Sequence, residues 1–565
     1  MNLELKMHRR ETLTRPGRFA LVIATTLHAA MLAWGAMRHS PTPTEMSSMA
    51  AGVYHWHHAR FDVYQVNPPL VRMLATVPVT LQQPETDWSV VENGTNFRPE
   101  YSLGNEFVRV NGSRAIWLFT LARWSCIPIS LLGASVCFLW ARDLYGPSAG
   151  LLALYLWCFS PNLLAHGQLI TADAGAATFG LLASYAFWRW LREPSLTRML
   201  FAGAALGLAE LSKTTWLLLF AVWPIVWLAW ALPPNRGICH AGRQAGQLCV
   251  VLLLGLLILN AGYLFDGTFS RLGDFKFVSE TLAGEVDIVT RFAEGGNRFL
   301  DGPLASVPLP LPHDYVIGID LQKLDFEGTH FAYLAGRWQS PGWWYYYLYG
   351  CAVKVPVGTL TLALLAVLLT CGSAQCRAVW RDELVLLLPA IAVLVLVSSQ
   401  TRMNEHFRYV LPVFPFAIVW ISKCASRPAI QSKPIRLVVI GALSATILSS
   451  LLTYPHSLSY FNELAGGPRQ GHRHLLGSNL DWGQDLLYLA RWCHVHPEAR
   501  PIDLQVGSST SREIVLRNID TLGQGADHRY ESPSPGWLAI SVNQLINEDG
   551  SNRCLHGLLP AARVG

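Results

Sequence analysis

Apolar runs long enough to span a bilayer as helices, about 20 residues each, recur at roughly 19–37, 115–139, 148–165, 169–190, 199–212, 214–232, 247–264, 346–370, 384–399, 409–422 and 437–453. They predict a polytopic α-helical membrane protein with about eleven transmembrane helices. Between the first two runs, residues 45–61 and 69–81 mix apolar and polar positions at near-helical spacing on either side of Pro68-Pro69. Both predict short juxtamembrane helices lying on the outer surface. The stretch 265–345 holds Pro303, Pro308, Pro310 and Pro312, which predicts irregular chain with turns. It ends on Trp343, Trp344 and Tyr345 to Tyr347, an aromatic belt at the mouth of the eighth run. After Tyr454 the pattern turns polar: 502–506 and 537–542 alternate like strands, and 480–494 reads as a helix. The expected organisation is a membrane domain over 1–453 and a small C-terminal α/β domain over 454–565.

Composition sharpens this reading. Of 565 residues, 51% are hydrophobic and 14% charged, where a soluble domain carries about 25% charged residues. A soluble enzyme is excluded. The net charge of +5 is too small to suggest a nucleic-acid partner, and the placement of cations matters more. With the N-terminus cytoplasmic, Arg9, Arg10, Arg142, Arg192, Arg236, Arg381 and Lys433 fall inside, while the short outer connections hold only Lys213, Arg402 and Arg408. The positive-inside rule therefore puts loops 38–114 and 265–345 and the tail outside. The basic N-terminus reads as an uncleaved anchor, because its apolar stretch exceeds the 7–15 residues of a signal peptide core. Only Cys493 and Cys554 lie in the tail, where a disulfide suits an oxidising compartment. Asn93 and Asn111 begin glycosylation sequons.

Ionisable residues near spans mark function by default. Asp173 follows Thr171-Ala172 at the outer start of the fourth run, and Glu45 follows the first run after a short Ser-Pro-Thr-Pro-Thr connection. Each carboxylate either works chemically or caps a helix. Lys213, Lys354, Arg402 and Arg408 gather at the same level, where they either neutralise a phosphate or snorkel to headgroups. Glu405-His406 falls near the mouth of such a site. His55, His57 and His58, at i, i+2 and i+3, do not share one helical face, so no metal site is read there. Glu210 in the fifth run needs a neighbouring partner.

In order along the chain come Thr44-Glu45, Asn67-Pro68-Pro69-Leu70, Leu169 to Asp173, Leu208 to Lys213, Ser340-Pro-Gly-Trp-Trp-Tyr-Tyr346, Lys354-Val-Pro356 and Arg408-Tyr-Val-Leu-Pro412. With Leu458 to Pro468 and Ser478 to Asp485, this order resembles the dolichyl-phosphate-mannose protein mannosyltransferase and aminoarabinose transferase-like family, membrane glycosyltransferases of the C superfamily, in a bacterial branch. The resemblance implies inverting transfer of a sugar from a polyprenyl-phosphate donor to an acceptor hydroxyl of a protein, lipid or glycan, outside the bacterial inner membrane. It implies a carboxylate base and cations around the leaving phosphate, with Asn67, Lys213, Lys354, Arg402 and Arg408 at phosphate-binding positions. It names no certain cofactor, and a divalent ion is compatible. One position departs from the family: Thr44 stands where an Asp is expected. The catalytic candidates are then Glu45, Asp173 and Asp62, and a non-catalytic lipid-linked-sugar binder or a lipid-phosphate transporter are the alternatives.

Overall fold

Every apolar run lies on helix, and the positions of Pro decide where those helices break. The computed structural model describes residues 13–92, 98–231, 238–328, 330–372, 379–506, 515, 536–547 and 562–564. Among them, Arg15–Arg38, Arg114–Tyr145, Ala241–Gly262, Trp380–Ser399, Phe407–Ala425 and Lys433–Thr453 are each long and apolar enough to cross a membrane. Two more spans result if each of two bent pairs counts as one. The chain is thus an integral, multi-pass membrane protein, and mainly helical.

The bent pairs correct two of the runs read as continuous. The run 148–165 divides into Pro147–Cys158 and Pro161–Gly167 with a 60° bend, and 346–370 into Tyr346–Lys354 and Val357–Gly372 with a 115° bend. Pro161 and Pro356 stand at the breaks, each lacking the N–H that would continue the ladder. Ser160 caps the restarted helix by accepting from the Leu163 amide at 3.4 Å. The second break leaves Lys354 as the last residue of its half-helix, buried beside the chain that follows the final span.

The helix Ala172–Arg192 packs between Arg114–Tyr145 and Leu196–Ser212, and Trp140, Trp157, Trp190, Trp216 and Trp223 fill the space around them. Asp173 begins this helix and Arg189 and Arg192 end it, so its two ends lie about 30 Å apart at 1.5 Å per residue. The far end carries its own ion pairs, Arg189 with Asp143, Arg192 with Asp382 and Lys423 with Glu383.

The two helices expected to lie on the outer surface form as Pro43–His58 and Leu70–Leu81, but the first is buried from Glu45 to His55, packed among its neighbours rather than laid on a surface. The sequence pattern missed Pro99–Asn111 and His313–Glu327, the second of which corrects the expectation of irregular chain in 265–345. A hairpin, β1 (Ala332–Leu334) with β2 (Arg337–Gln339), also lies in that loop. In the tail, β3 (Ile502–Gln505) pairs in parallel with β4 (Trp537–Ile540), beside a helix over Leu486–Val495. That helix starts six residues later than read: the Gly483 and Gln484 carbonyls accept from Ser40 and the Asp481 carboxylate accepts from Ser541. Leu486, Leu489, Cys493, Ile502 and Leu504 form a small core of their own. Cys493 is therefore a buried core thiol; Cys554 and the Asn93 sequon lie outside the described residues. Asn111 uses its side-chain amide to donate to the Glu85 and Phe107 carbonyls, both at 2.8 Å.

Candidate active site

Asp173 is 2% exposed, and a carboxylate so buried stays ionised only with partners. It has two. Lys213 Nζ donates to Oδ1 at 2.7 Å and Arg408 Nη1 to Oδ2 at 3.1 Å. Lys213 reaches it because the turn after Leu196–Ser212 is seated on the Asp173 helix: the Trp216 indole donates to the Ala176 carbonyl at 3.0 Å and lies on Gly180, where a Cβ would come within 1.8 Å of the ring. Positions 173, 176 and 180 share one helix face. Small residues there let the turn approach.

Arg408 comes from the 3-10 segment Phe407–Val413. Its guanidinium lies 4.3 Å over the Trp482 ring, and its Nε is buried with no partner. Lys354 donates to the carbonyls of Leu458 at 2.9 Å and Asn479 at 2.5 Å, and its Nζ sits 4.6 Å over the Phe461 ring. Among the described residues no carboxylate pairs with it. Lys354 and Arg408 line a small polar pocket with Asn162, His166, Ser478 and Asn479. His166 Nδ1 is likewise buried and unpartnered. Two cations, only one of them paired with an acid, and two unsatisfied ring or guanidinium nitrogens make a place for an anion.

Asn479 ties this cavity to the tail. Its amide donates to the Tyr346 hydroxyl at 3.0 Å and to the Glu405 carbonyl at 2.7 Å, and its Oδ1 accepts from the Phe407 amide at 2.8 Å. Ser478 also borders a second, larger and more open cavity, walled by Pro43, Glu405, His406, Asp481 and Trp482. His406 Nδ1 lies 2.7 Å from Ser478 Oγ, and Nε2 lies 3.7 Å from the Glu405 carboxylate. Burial pushes the His406 imidazole down to about 4, so it is neutral at pH 7.

Glu45 is fully buried and all its bonds are internal. Oε1 accepts from Arg123 Nε at 2.8 Å and the Ile170 amide at 3.2 Å; Oε2 accepts from Arg123 Nη2 at 2.6 Å and the Thr42 amide at 3.0 Å. The last bond is half of a capping box at the start of Pro43–His58. Asp62 pairs with Arg60. The Asn67 carbonyl accepts from Arg72 at 2.6 Å, and that guanidinium also bonds His55 and Tyr64. Arg402 is exposed and donates to the Glu327 carbonyl at 3.1 Å; it lines neither cavity. Glu210 accepts from the Tyr315 hydroxyl at 2.7 Å. Asp173, Lys213 and Arg408 thus come together with Lys354 nearby, while Glu45, Asp62, Asn67 and Arg402 stand apart from them. His166, Ser478, Asn479 and Trp482 received no role from the sequence. The one signal for the last three was their place in the tail motif.

Residues 118–261 match the family model described as dolichyl-phosphate-mannose-protein mannosyltransferase, a segment that holds Arg123, Asp173 and Lys213. No curated protein sequence matches the chain. Among solved structures, ArnT from Cupriavidus metallidurans bound to undecaprenyl phosphate is 14% identical, with 89% of this chain and 85% of that one covered and a TM-score of 0.49. The Saccharomyces cerevisiae Pmt1-Pmt2 complex bound to the sugar donor is 14% identical over 46% and 37%, at 0.35. The Archaeoglobus fulgidus oligosaccharyltransferase AglB, in complex with an inhibitory peptide and a dolichol-phosphate, is 12% identical over 92% and 61%, at 0.41. The matched segment carries the same acid and lysine that the ordered motifs single out, and the family this chain resembles is that of the dolichyl-phosphate-mannose-protein mannosyltransferases.

Proposed function

We propose that the protein is a membrane glycosyltransferase that moves a sugar from a polyprenyl-phosphate donor to an acceptor hydroxyl on the extracytoplasmic side. One observation carries the reading: Lys354, buried and, among the described residues, without a carboxylate partner, shares a polar pocket with Arg408 near the start of the Asp173 helix. A buried ammonium costs several kcal/mol unless an anion compensates it, and the donor phosphate is the anion that the family match supplies. All eleven apolar runs cross or enter the membrane in this reading, the N-terminus is cytoplasmic, and the membrane is a bacterial inner membrane. The cation asymmetry and the roughly 30 Å between the two ends of the Asp173 helix support that orientation.

In the transfer step the acceptor oxygen attacks the anomeric carbon and the bond from that carbon to the phosphate oxygen breaks, with inversion. Lys354 and Arg408 stabilise the charge that grows on the leaving phosphate, and Asp173 holds Lys213 and Arg408 in place. The acceptor's proton needs a base. Both oxygens of Glu45 and of Asp173 are already engaged by cations, and Thr44 has no basicity. We assign the proton to His406, neutral, and facing the cavity walled by Pro43 beside Thr44. Ser478, bonded to His406, stands between the two cavities and holds the imidazole.

Mass spectrometry of the lipids that co-purify with the protein tests this. A polyprenyl-phosphate sugar retained by the wild type and lost from Lys354→Met is expected. A transporter or a binder would also retain lipid, so transfer to a hydroxyl acceptor with release of polyprenyl phosphate is the deciding assay. Retention of neutral lipids alone would refute the reading.

A further inference from the structure

Outside the proposed site, three side chains from three separate segments converge where the tail meets the membrane part. His39 follows the first long helix, His456 follows the last, and Asp485 precedes the tail helix Leu486–Val495. One potential ligand atom from each lies within 4.8 Å of the other two. His456 Nδ1 and Asp485 Oδ1 are 3.5 Å apart, and both are buried with no hydrogen-bond partner. Two ligands at 2.0–2.1 Å from a tetrahedral ion sit about 3.4 Å apart, so this pair already has the spacing of adjacent ligands. Drawing the third arm in from at most 4.8 Å to that spacing of about 3.4 Å completes three.

The surroundings orient these groups as ligands. His39, itself buried, donates from Nδ1 to the Gly35 carbonyl at 3.0 Å, which fixes the tautomer that leaves Nε2 with its lone pair. The other Asp485 oxygen accepts from the Gln484 amide at 2.8 Å. Such outer bonds are the usual second layer of a metal site. The Tyr488 ring lies against both imidazoles, 4.8 Å from His456 and 5.8 Å from His39, and closes one side.

We propose that His39, His456 and Asp485 bind one first-row divalent cation of the zinc type. Two imidazoles and one carboxylate suit zinc and disfavour magnesium or calcium, which prefer oxygen ligands. The ion ties the tail to the first and last membrane helices. Ser40, next to His39, already stitches the same seam: its amide donates to the Gln484 carbonyl at 2.9 Å, its hydroxyl to the Gly483 carbonyl at 2.8 Å, and its Oγ accepts from the Leu486 amide at 3.0 Å. Gly483 and Pro43 are walls of the larger cavity, so the ion holds that cavity's shape from one side. The proposal does not rest on the transfer reaction.

Full-length protein purified in detergent through a histidine-free tag, stripped with chelator and titrated with Zn²⁺ or Mg²⁺, provides the test. The wild type is expected to take up about one zinc per chain by elemental analysis, with a rise in melting temperature that Mg²⁺ does not reproduce. His456→Gln and Asp485→Asn, checked for monodisperse elution, should weaken zinc binding at least about tenfold, and Asp485→His should retain it. Stripped wild-type protein that neither takes up zinc nor gains stability from it overturns the proposal, whatever the variants do. Uptake undiminished by both substitutions overturns it too, since the ion would then sit elsewhere.

Discussion

Replacing Lys354 by Met separates the cost of a buried cation from its use. The ammonium holds the carbonyls of Leu458 and Asn479 at 2.9 and 2.5 Å, and Met keeps most of the stem that packs near Phe461. Two buried carbonyls lose their donor, at about 1–3 kcal/mol each. Against this, a desolvated charge with no carboxylate partner among the described residues is removed, a relief of several kcal/mol. The two effects are of similar size, so the folded protein should change in stability by no more than about 2 kcal/mol. Nothing offsets the loss on the donor side. A phosphate that loses a hydrogen bond to a charged group loses about 1.5–3 kcal/mol, a Kd weaker by about 10- to 150-fold. Titration of the detergent-solubilised protein with a polyprenyl phosphate, beside its thermal unfolding curve, reads both quantities. A Lys354→Met protein that folds and binds the lipid within threefold of wild type would show that this cavity is not the phosphate site.

Four further outcomes follow from the same geometry. His406→Gln should lower turnover by about 10²–10⁴-fold with donor affinity intact, and Thr44→Asp in that background should restore part of it; because burial holds His406 near 4, wild-type kcat/KM should stay flat down to about pH 5 and fall only as the imidazole protonates below that, whereas a fall through pH 6.5 contradicts the assignment. Glu45→Gln leaves the Arg123 guanidinium buried beside a neutral partner and should cost about 3–5 kcal/mol of stability, much of it regained with Arg123→Met; normal melting with lost turnover would move Glu45 into the chemistry. Gly180→Ala drives a methyl into Trp216 and should cost about 1–3 kcal/mol, with weaker donor binding as Lys213 shifts. Single cysteines at Ser89 and Ser306 should react with an impermeant reagent in intact cells, and protection of both would invert the topology.

The membrane helices were legible in the sequence because a bilayer demands long apolar runs, and the pattern needs no tertiary information. The breaks at Pro161 and Pro356 were less so, since a Pro in an apolar run is compatible with a kink as well as a stop. His313–Glu327 escaped notice because its apolar positions are spread around the helix and what fixes it is tertiary: Tyr315 bonds Glu210, and Asp320 accepts from the amides of Val278 and Ser279 at 2.6 and 3.0 Å. The β3 and β4 strands were visible by alternation, but their parallel pairing across more than thirty intervening residues was not, because local pattern carries no partner.

The same distinction runs through the site. Charges that must be compensated were findable one at a time from their position in spans, as Asp173, Lys213, Lys354 and Arg408 were. Which cation belongs to which acid was not, because pairing is set by distance in the fold. Glu45 illustrates the consequence: in sequence it is the acid beside the missing Asp at Thr44, whereas in the fold Arg123 and two backbone amides use both its oxygens. Freeing Glu45 for proton transfer would strand a buried guanidinium, at a cost of about 3–5 kcal/mol, more than half of the barrier reduction that a 10⁴-fold base contributes. Taking the proton on His406 strands no buried guanidinium: its Nδ1 meets the Ser478 hydroxyl and its Nε2 lies 3.7 Å from the Glu405 carboxylate, whose charge partly offsets the burial that holds the imidazole near 4. In the proposed reading the base therefore comes from His406, on the cavity that Pro43 also lines, held there by Ser478 and Asn479 from a tail segment whose contacts no local pattern predicts.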